Sequence, residues 1–322
     1  MRRSLLITAW PLAAAVIALA GPGKVPAADS ATATLAVTGT LAADLPVAGL
    51  AISANGQTVY AIDGTRGAIV AIDVDHPERR RDVVAAPGDD EPRPVAVGAV
   101  PGGLVVAVCR SGGSWEVRTY RPGPAAPATG PLQRLPLGAA AGDPGRVAVV
   151  ASTARSWLAI TGLPPPLPRV LRAVVAGLSI RFLPDDAPGQ AGPPAGAATV
   201  SPDDALVVFA ANGNGPAAVS FQDSAGRTLL ELDAGVAQVR AAAFSRRDGR
   251  LWVLAGPASG QAAGLWRLDA VMRDGRQEAQ PVRVAAFTDP VAIVGASDAT
   301  LVVAAGNPVR LVTIDVGQQE DP

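Results

Sequence analysis

The sequence predicts an all-β protein: a six-bladed β-propeller of four-stranded antiparallel blades. The main observation is a unit that occurs six times, in which a short apolar strand, a small polar turn and a second apolar strand follow one another. The apolar residues that precede the six turns recur about every 44 to 53 residues, at Ile52, Val97, Val150, Val200, Phe244 and Val294. A repeat of about 40 to 50 residues built only from strands is typical of propeller blades.

The strands of each unit are recognisable from their composition. Runs rich in Val, Ile, Leu and aromatic residues, bounded by Gly, Pro, Asn and Asp, favour β-strands. A third strand follows each pair, at residues 68–74, 115–120, 170–175, 217–221, 264–268 and 309–316, and a fourth is only weakly marked. Tyr60 and Trp252 occupy the same place on the second strand of their units. We therefore expect both side chains to pack between adjacent blades.

The two ends of the chain complete each other. The last unit ends with the strand at residues 311–316 and a polar tail, which leaves no room for a fourth strand. Residues 32–41 form a strand with no unit of their own. Pairing this N-terminal strand into the last blade would close the ring and cover an open sheet edge.

Three stretches are too rich in Pro and Gly to be strands. They are residues 122–131, 163–168 and 184–197. We interpret them as surface loops. The alternative is a Pro-rich ligand for a partner domain.

The N-terminus has the order of a secretory signal peptide. Arg2 and Arg3 precede an apolar stretch at residues 5–20, and small residues follow at 18–20 and 25–27. An uncleaved membrane anchor is the alternative, although the stretch is shorter than the roughly 20 residues of a span and contains Pro11. We predict a signal peptide at residues 1–27, a single propeller domain at 28–322, and a secreted or periplasmic protein.

Charge and cysteine content exclude several classes of function. Removing residues 1–27 leaves 24 basic and 28 acidic groups, so the mature chain has no basic footprint for nucleic acid and no later stretch that could span a membrane. The single cysteine, Cys109, has no partner for an intramolecular disulfide. It lies in an apolar run, which favours a buried, inert thiol.

One segment resembles a known family. Residues 59–73 read as an aromatic strand, a polar loop and a strand ending in Ile-Asp, and residues 53–56 precede them as a Ser-Ala-Asn-Gly turn. This resembles the repeat of YVTN-type bacterial β-propellers, and the turn is similar to the Ser-Pro-Asp-Gly turn of WD-repeat-like propellers. Residues 244–269 and 301–315 match more loosely. The resemblance implies the fold, in a group that includes binding scaffolds, lactonase-like proteins and proteins of unknown role.

The inventory of reactive side chains argues against catalysis. The only lysine lies in the predicted signal peptide, and the only histidine is His76, so neither a Schiff base nor a His-based zinc site is expected. The acidic clusters at residues 89–91 and 203–204 could hold calcium, but solvated or turn-forming carboxylates are the simpler interpretation. The loop Asn212 to Gly215 has no following helix and fits a hairpin better than a phosphate site. We predict no catalytic residue, metal site or cofactor.

Three arginines share one repeat position. Counting four residues back from the apolar residue before each turn gives Arg93, Arg146 and Arg240. This position begins the innermost strand, so the three would lie at the channel mouth and bind an anion. The alternative is that each pairs with a preceding acid, among residues 89–91 for Arg93, Asp143 for Arg146 and Asp233 for Arg240.

Taken together, these patterns favour a binding or protein-interaction module whose partner is a protein or a small anionic ligand. The alternative is a hydrolase or lactonase with its active site at the channel mouth. A carboxylate cluster at that mouth would favour the enzyme. Arginines, or a lining without reactive side chains, would favour a binding module.

Overall fold

The computed structural model describes residues 35, 37–124, 126–141, 147–152, 154–168, 170–183, 195–212, 215–258, 261–273, 276–297 and 299–316. These residues form 24 strands in six four-stranded antiparallel sheets, which confirms the predicted all-β propeller. The predicted signal peptide at residues 1–27 lies outside the described part. Within that part, no helix is long and apolar enough to cross a membrane.

The first three blades each run from an innermost to an outermost strand in chain order. Blade 1 contains β2 (Val47–Ile52), β3 (Thr58–Asp63), β4 (Ile69–Asp73) and β5 (Arg80–Val84). Blade 2 contains β6 (Arg93–Val100), β7 (Leu104–Ser111), β8 (Ser114–Tyr120) and β9 (Gln133–Ala139). Blade 3 contains β10 (Ala148–Ala151), β11 (Trp157–Thr161), β12 (Val170–Ala176) and β13 (Ser179–Phe182).

The last three blades repeat the pattern, and the sixth uses the N-terminal strand. Blade 4 contains β14 (Ala195–Val200), β15 (Leu206–Asn212), β16 (Gly215–Gln222) and β17 (Thr228–Asp233). Blade 5 contains β18 (Val239–Phe244), β19 (Leu251–Ala255), β20 (Gly264–Arg273) and β21 (Arg276–Ala286). Blade 6 contains β22 (Pro290–Gly295), β23 (Thr300–Ala305), β24 (Arg310–Asp315) and β1 (Val37–Ala42).

The pairing of β1 with β24 confirms the predicted ring closure, with the strand at Val37–Ala42, while residues 32–34 and 36 of the predicted strand lie outside the described part. The two strands are antiparallel, with Thr40 opposite Val312, and the Thr38 hydroxyl donates to the Thr313 carbonyl oxygen at 3.1 Å. Leu41 and Ala42 are buried in the core that blade 6 shares with blade 1. The N-terminal strand therefore both completes a sheet and fills a junction between blades.

The hydrophobic core is divided among the junctions of the ring. Each junction between neighbouring blades has its own cluster of buried apolar side chains, which gives six clusters in all. Trp252 is completely buried in the cluster of blades 5 and 6, and the half-buried Tyr60 packs against that of blades 1 and 2. The predicted packing of both side chains between blades is confirmed.

The predicted turns are wrong by one to three residues in three blades. The innermost strands of blades 2, 3 and 6 end at Val100, Ala151 and Gly295, whereas the sequence pattern placed their last apolar residues at Val97, Val150 and Val294. In blade 2, Gly98 continues the strand because it packs against Val149 of blade 3, where a side chain would not fit. A glycine at such a close approach does not signal a turn.

Two of the Pro- and Gly-rich stretches also differ from simple surface loops. Residues 195–197, predicted as loop, begin β14, while 184–194 lie outside the described residues. Part of the stretch at 122–131 lies along β5, where Ala128 donates to Val83 at 2.8 Å and accepts from Ala85 at 3.0 Å. This segment covers an edge strand that would otherwise present unpaired backbone groups.

Removing β1 should destabilise the ring. We expect a chain that starts at residue 43 to melt about 8–16 °C below one that starts at residue 28, since losing a paired strand with buried side chains costs about 4 kcal/mol. Differential scanning calorimetry of the two chains measures this. Equal melting temperatures would contradict the closure by β1.

Trp252→Ala should remove about 3–5 kcal/mol from the free energy of unfolding, because it leaves a large cavity between blades 5 and 6. The matched control is Leu229→Ala, whose side chain is 54% exposed and whose loss should change stability by about 0.5 kcal/mol or less. Urea melts of both variants measure the difference. A neutral Trp252→Ala would contradict the packing of the junction.

Candidate functional site

The six innermost strands surround a channel of about 890 Å³. This volume is in the range of small-molecule binding sites, roughly 300–1,000 Å³. We call the end at which the innermost strands begin the upper mouth. The lower mouth is the end at which these strands finish and their turns begin.

The innermost strands face the channel with an edge. Consecutive residues line it, namely 48–52, 94–99, 147–151, 197–202, 240–246 and 290–295. Successive side chains of a strand point to opposite faces, so consecutive lining residues mean that the strand's edge is turned to the cavity. Each innermost strand is paired on its other edge only. Much of the channel wall is therefore backbone, flanked by small side chains such as Ala48, Ala96 and Ala198.

Charged side chains occur at the two ends of this wall, both from blade 5. Arg240 lies near the start of β18 at the upper mouth, and Arg246 follows β18 at the lower mouth. Among the described lining residues there is no carboxylate, histidine or cysteine. The part of the mouth that the structure describes thus has no carboxylate cluster of the kind that would favour an enzyme.

A recurring β-bulge positions Arg240. Five innermost strands insert one extra residue near their start, at Ala48, Val95, Gly196, Arg240 and Val291. Bulges re-aim side chains and are frequent beside binding sites. Of these five residues, Arg240 is the charged one. The bulge places its side chain on the wall of the upper mouth.

The Arg240 side chain is half-buried and makes no hydrogen bond or ion pair with any described residue. It lies against Gly256, where a Cβ would come within 3.0 Å of Arg240 Nε and 3.4 Å of Gln238 Oε1. Gln238 has a positive φ of 50°, and its carbonyl accepts from the Gly256 N–H at 3.0 Å. Left-handed backbone at a residue other than glycine is often found at functional sites. Because Gly256 has no side chain, the side chains of Arg240 and Gln238 have room beside it.

Arg246 links strands and turns of different blades at the lower mouth. Its guanidinium donates to the carbonyl oxygens of Ala54 at 2.6 Å, Ser53 at 3.0 Å and Gly295 at 3.2 Å. These acceptors belong to the turn of blade 1 and to the end of β22 in blade 6. One side chain of blade 5 therefore ties three blades together beneath the channel.

The predicted arginine site stays a prediction, and its described members differ in position. Arg93 lies exposed at the start of β6, two residues before the bulge at Val95, and is not among the described residues that line the channel. Arg146 lies outside the described residues. The sequence alone could not reveal that Arg93 and Arg240 differ in position. The three arginines were found by counting back from the predicted end of each innermost strand, and β6 ends three residues later than predicted.

Two of the acidic residues proposed as arginine partners, Glu91 and Asp233, make other contacts, and Asp143 lies outside the described residues. Glu91 accepts from the Gly88 N–H at 3.3 Å, and Asp233 accepts from the Gly235 N–H at 2.7 Å. Asp204, of the cluster at 203–204, accepts from the Ser152 hydroxyl and forms an ion pair with Arg155 at 3.0 Å. These carboxylates order turns, and within the described ranges no group of three His, Cys, Asp or Glu side chains could hold a metal ion.

The reactive side chains elsewhere are remote or inert. His76 is exposed on the outer part of blade 1 and lies 3.5 Å from Glu78 Oε1. Cys109 is completely buried, and burial raises the pKa of its thiol to about 12, so it stays protonated at neutral pH. This environment agrees with the predicted inert thiol.

Sequence reasoning missed a buried charge in blade 2. Arg118, only 4% exposed, pairs with Glu116 at 2.5 Å on the same face of β8. Burial disfavours its charge, but hydrogen bonds to Tyr120 and Glu116 outweigh this and raise the pKa of Arg118. The signal available was the alternation Glu116, Arg118 and Tyr120 on one face of a strand. The pair lies beside Tyr120, which packs at the junction of blades 1 and 2, and neither residue is among the described residues that line the channel.

Comparisons with known proteins show similarity in the fold only. No family model and no curated protein matches the chain. Among solved structures, the PQQ-bound aldose sugar dehydrogenase of Streptomyces coelicolor is 12% identical with a TM-score of 0.59, covering 88% of this chain and 98% of that one. The hydrazine synthase of Kuenenia stuttgartiensis is 14% identical with a TM-score of 0.56, covering 87% and 80%. A chain of the mitotic checkpoint complex is 14% identical with a TM-score of 0.50, covering 98% and 99%.

Arg246→Ala should lower the free energy of unfolding by about 2 kcal/mol, because three backbone carbonyls lose a charged donor. The matched control is Arg247→Ala, which removes an exposed arginine from the next position and should be nearly neutral. Guanidinium chloride melts of the two variants give the comparison. If both variants matched the parent protein, Arg246 would not be tying the blades together.

Proposed function

We propose that this protein is a binding module that takes a small anionic ligand into the upper mouth of its channel. The observation that carries the proposal is Arg240: a half-buried guanidinium on the channel wall without an ion pair in the described structure. Burying a charge without a partner is costly. An anion at this position would supply the partner.

The chemistry of the lining supports binding over catalysis. The alternative, a hydrolase or lactonase, needs a base, a nucleophile activated by one, or a metal held by carboxylates. The described lining offers hydroxyls at Thr199, Ser201 and Ser245 but no imidazole, and the carboxylate that the Ser245 hydroxyl contacts, Asp248, belongs to the adjoining turn and is also paired with Arg250. Propellers of very different sequence serve both as enzymes and in assemblies, so the fold does not decide between these functions.

Arg240 suits the role of anchor for physical reasons. A guanidinium presents its N–H groups in a planar fork that matches carboxylates and phosphates. The Gln238 amide lies close by. Both side chains lie beside Gly256, where a Cβ would crowd them. Arg146 is predicted for the same mouth and would strengthen the site.

We also propose that the chain is exported and related to YVTN-type bacterial propellers. The basic, apolar and small-residue order of residues 1–27 supports export. The strand-loop-strand pattern of residues 59–73 supports the relationship. A ligand would then be met outside the cytoplasm.

Arg240→Gln should strongly reduce the response to anions. With parent protein, a carboxylate or phosphate at about 100 times its dissociation constant stabilises by about 2.7 kcal/mol, a rise of several degrees in melting temperature that shrinks with added salt. The variant should bind at least tenfold more weakly. Thermal shift with citrate, gluconate and phosphate, confirmed by calorimetric titration, measures this.

The matched control is Arg93→Gln, which removes an exposed arginine outside the described lining and should keep most of the response. A circular dichroism melt without ligand verifies that both variants fold. Failure of all three anions to bind, or a response that survives Arg240→Gln, would refute an anion site at Arg240.

A further inference from the structure

We infer that the ligand is a compact hydroxycarboxylate, whose carboxylate pairs with Arg240 and whose hydroxyl groups bond to the backbone of the channel wall. This inference rests on the proposed anion site and adds the chemical nature of the rest of the ligand. It follows from what the wall is made of.

The wall presents hydrogen-bonding groups that no other strand uses. In antiparallel sheets the N–H and C=O groups of alternate residues point to opposite edges of a strand. Each innermost strand is paired on its outer edge only, so alternate residues turn their backbone groups into the channel. None of the described backbone hydrogen bonds joins one innermost strand to another between the two mouths.

Small side chains leave part of these groups accessible, between larger apolar side chains such as Leu50, Val147 and Val291. In blade 1 the lining includes Ala48, Gly49 and Ala51, in blade 2 Ala96 and Gly98, and other blades add further alanines. A ligand in the channel can therefore approach the backbone closely on several sides. Glycine and alanine are the residues that permit such an approach.

The backbone groups of the wall favour ligands with hydroxyl groups over ligands with alkyl chains, in addition to the preference of Arg240 for a negative charge. An alkyl chain would displace water from backbone N–H and C=O groups and give them no partner, which costs affinity roughly tenfold per group. Hydroxyl groups donate and accept, so they replace the displaced water. A carboxylate with hydroxyls on neighbouring carbons satisfies both Arg240 and the strand edges.

The test compares three six-carbon probes by calorimetric titration: gluconate, hexanoate and glucose. Gluconate has both the carboxylate and the hydroxyls, hexanoate only the carboxylate, and glucose only the hydroxyls. We expect gluconate to bind at least tenfold more tightly than either of the others. Arg240→Gln should reduce its affinity at least tenfold and should barely change that of glucose.

A steric variant tests the location. Ala48 is exposed on the lining at the bulge position of blade 1, which corresponds to that of Arg240 in blade 5. Ala48→Trp should narrow the upper mouth and weaken gluconate at least tenfold while the protein still melts cooperatively. Unchanged binding in this variant would overturn the placement in the channel.

The outcomes separate the two proposals. If hexanoate binds as tightly as gluconate and both need Arg240, the hydroxycarboxylate inference is overturned while the anion site stands. If neither carboxylate binds in an Arg240-dependent way, both are overturned. Glucose binding as tightly as gluconate would contradict the role of the charge.

Discussion

The structure depends on one constraint, which is that every blade must be covered on both faces. The sheets carry apolar side chains on both sides, and each junction between neighbours encloses its own buried cluster. Six sheets satisfy this requirement only if the ring closes. The pairing of β1 with β24 completes the last sheet, and Leu41 fills the junction where the two ends of the ring meet.

The same constraint creates the channel and its chemistry. Because the side chains of the innermost strands pack between blades, their edges are left to face the centre. Gly98 and Gly295 allow neighbouring innermost strands to approach where a Cβ would not fit, and Arg246 joins the turns of three blades below. The channel is thus lined largely by strand edges, and among the described lining residues Arg240 is the charged side chain at its upper mouth.

The sequence predicts the fold well, and one of its three candidate site residues, Arg240, lies on the channel wall. Periodic apolar strands with turns between them predict six blades, and the unpaired N-terminal strand predicts the closure. Arg240 was singled out by counting, but its grouping with Arg93 assumed a constant strand length. A bulge adds a residue, and Gly98 extends a strand past its expected turn, so position along the chain no longer gives position in space. The role of Arg246 was not predicted because its three acceptors are backbone carbonyls of blades 1 and 6. Every residue has a backbone carbonyl, so such contacts cannot be read from the side-chain pattern of the sequence.

We propose that Arg240 and the free strand edges bind one ligand together. A crystal structure of the protein with gluconate tests it most directly. We expect the carboxylate at about 3 Å from the Arg240 guanidinium, with ligand hydroxyls bonded to N–H and C=O groups of the innermost strands. Gluconate bound outside the channel, or Arg240 paired with a carboxylate of the protein itself, would contradict the account.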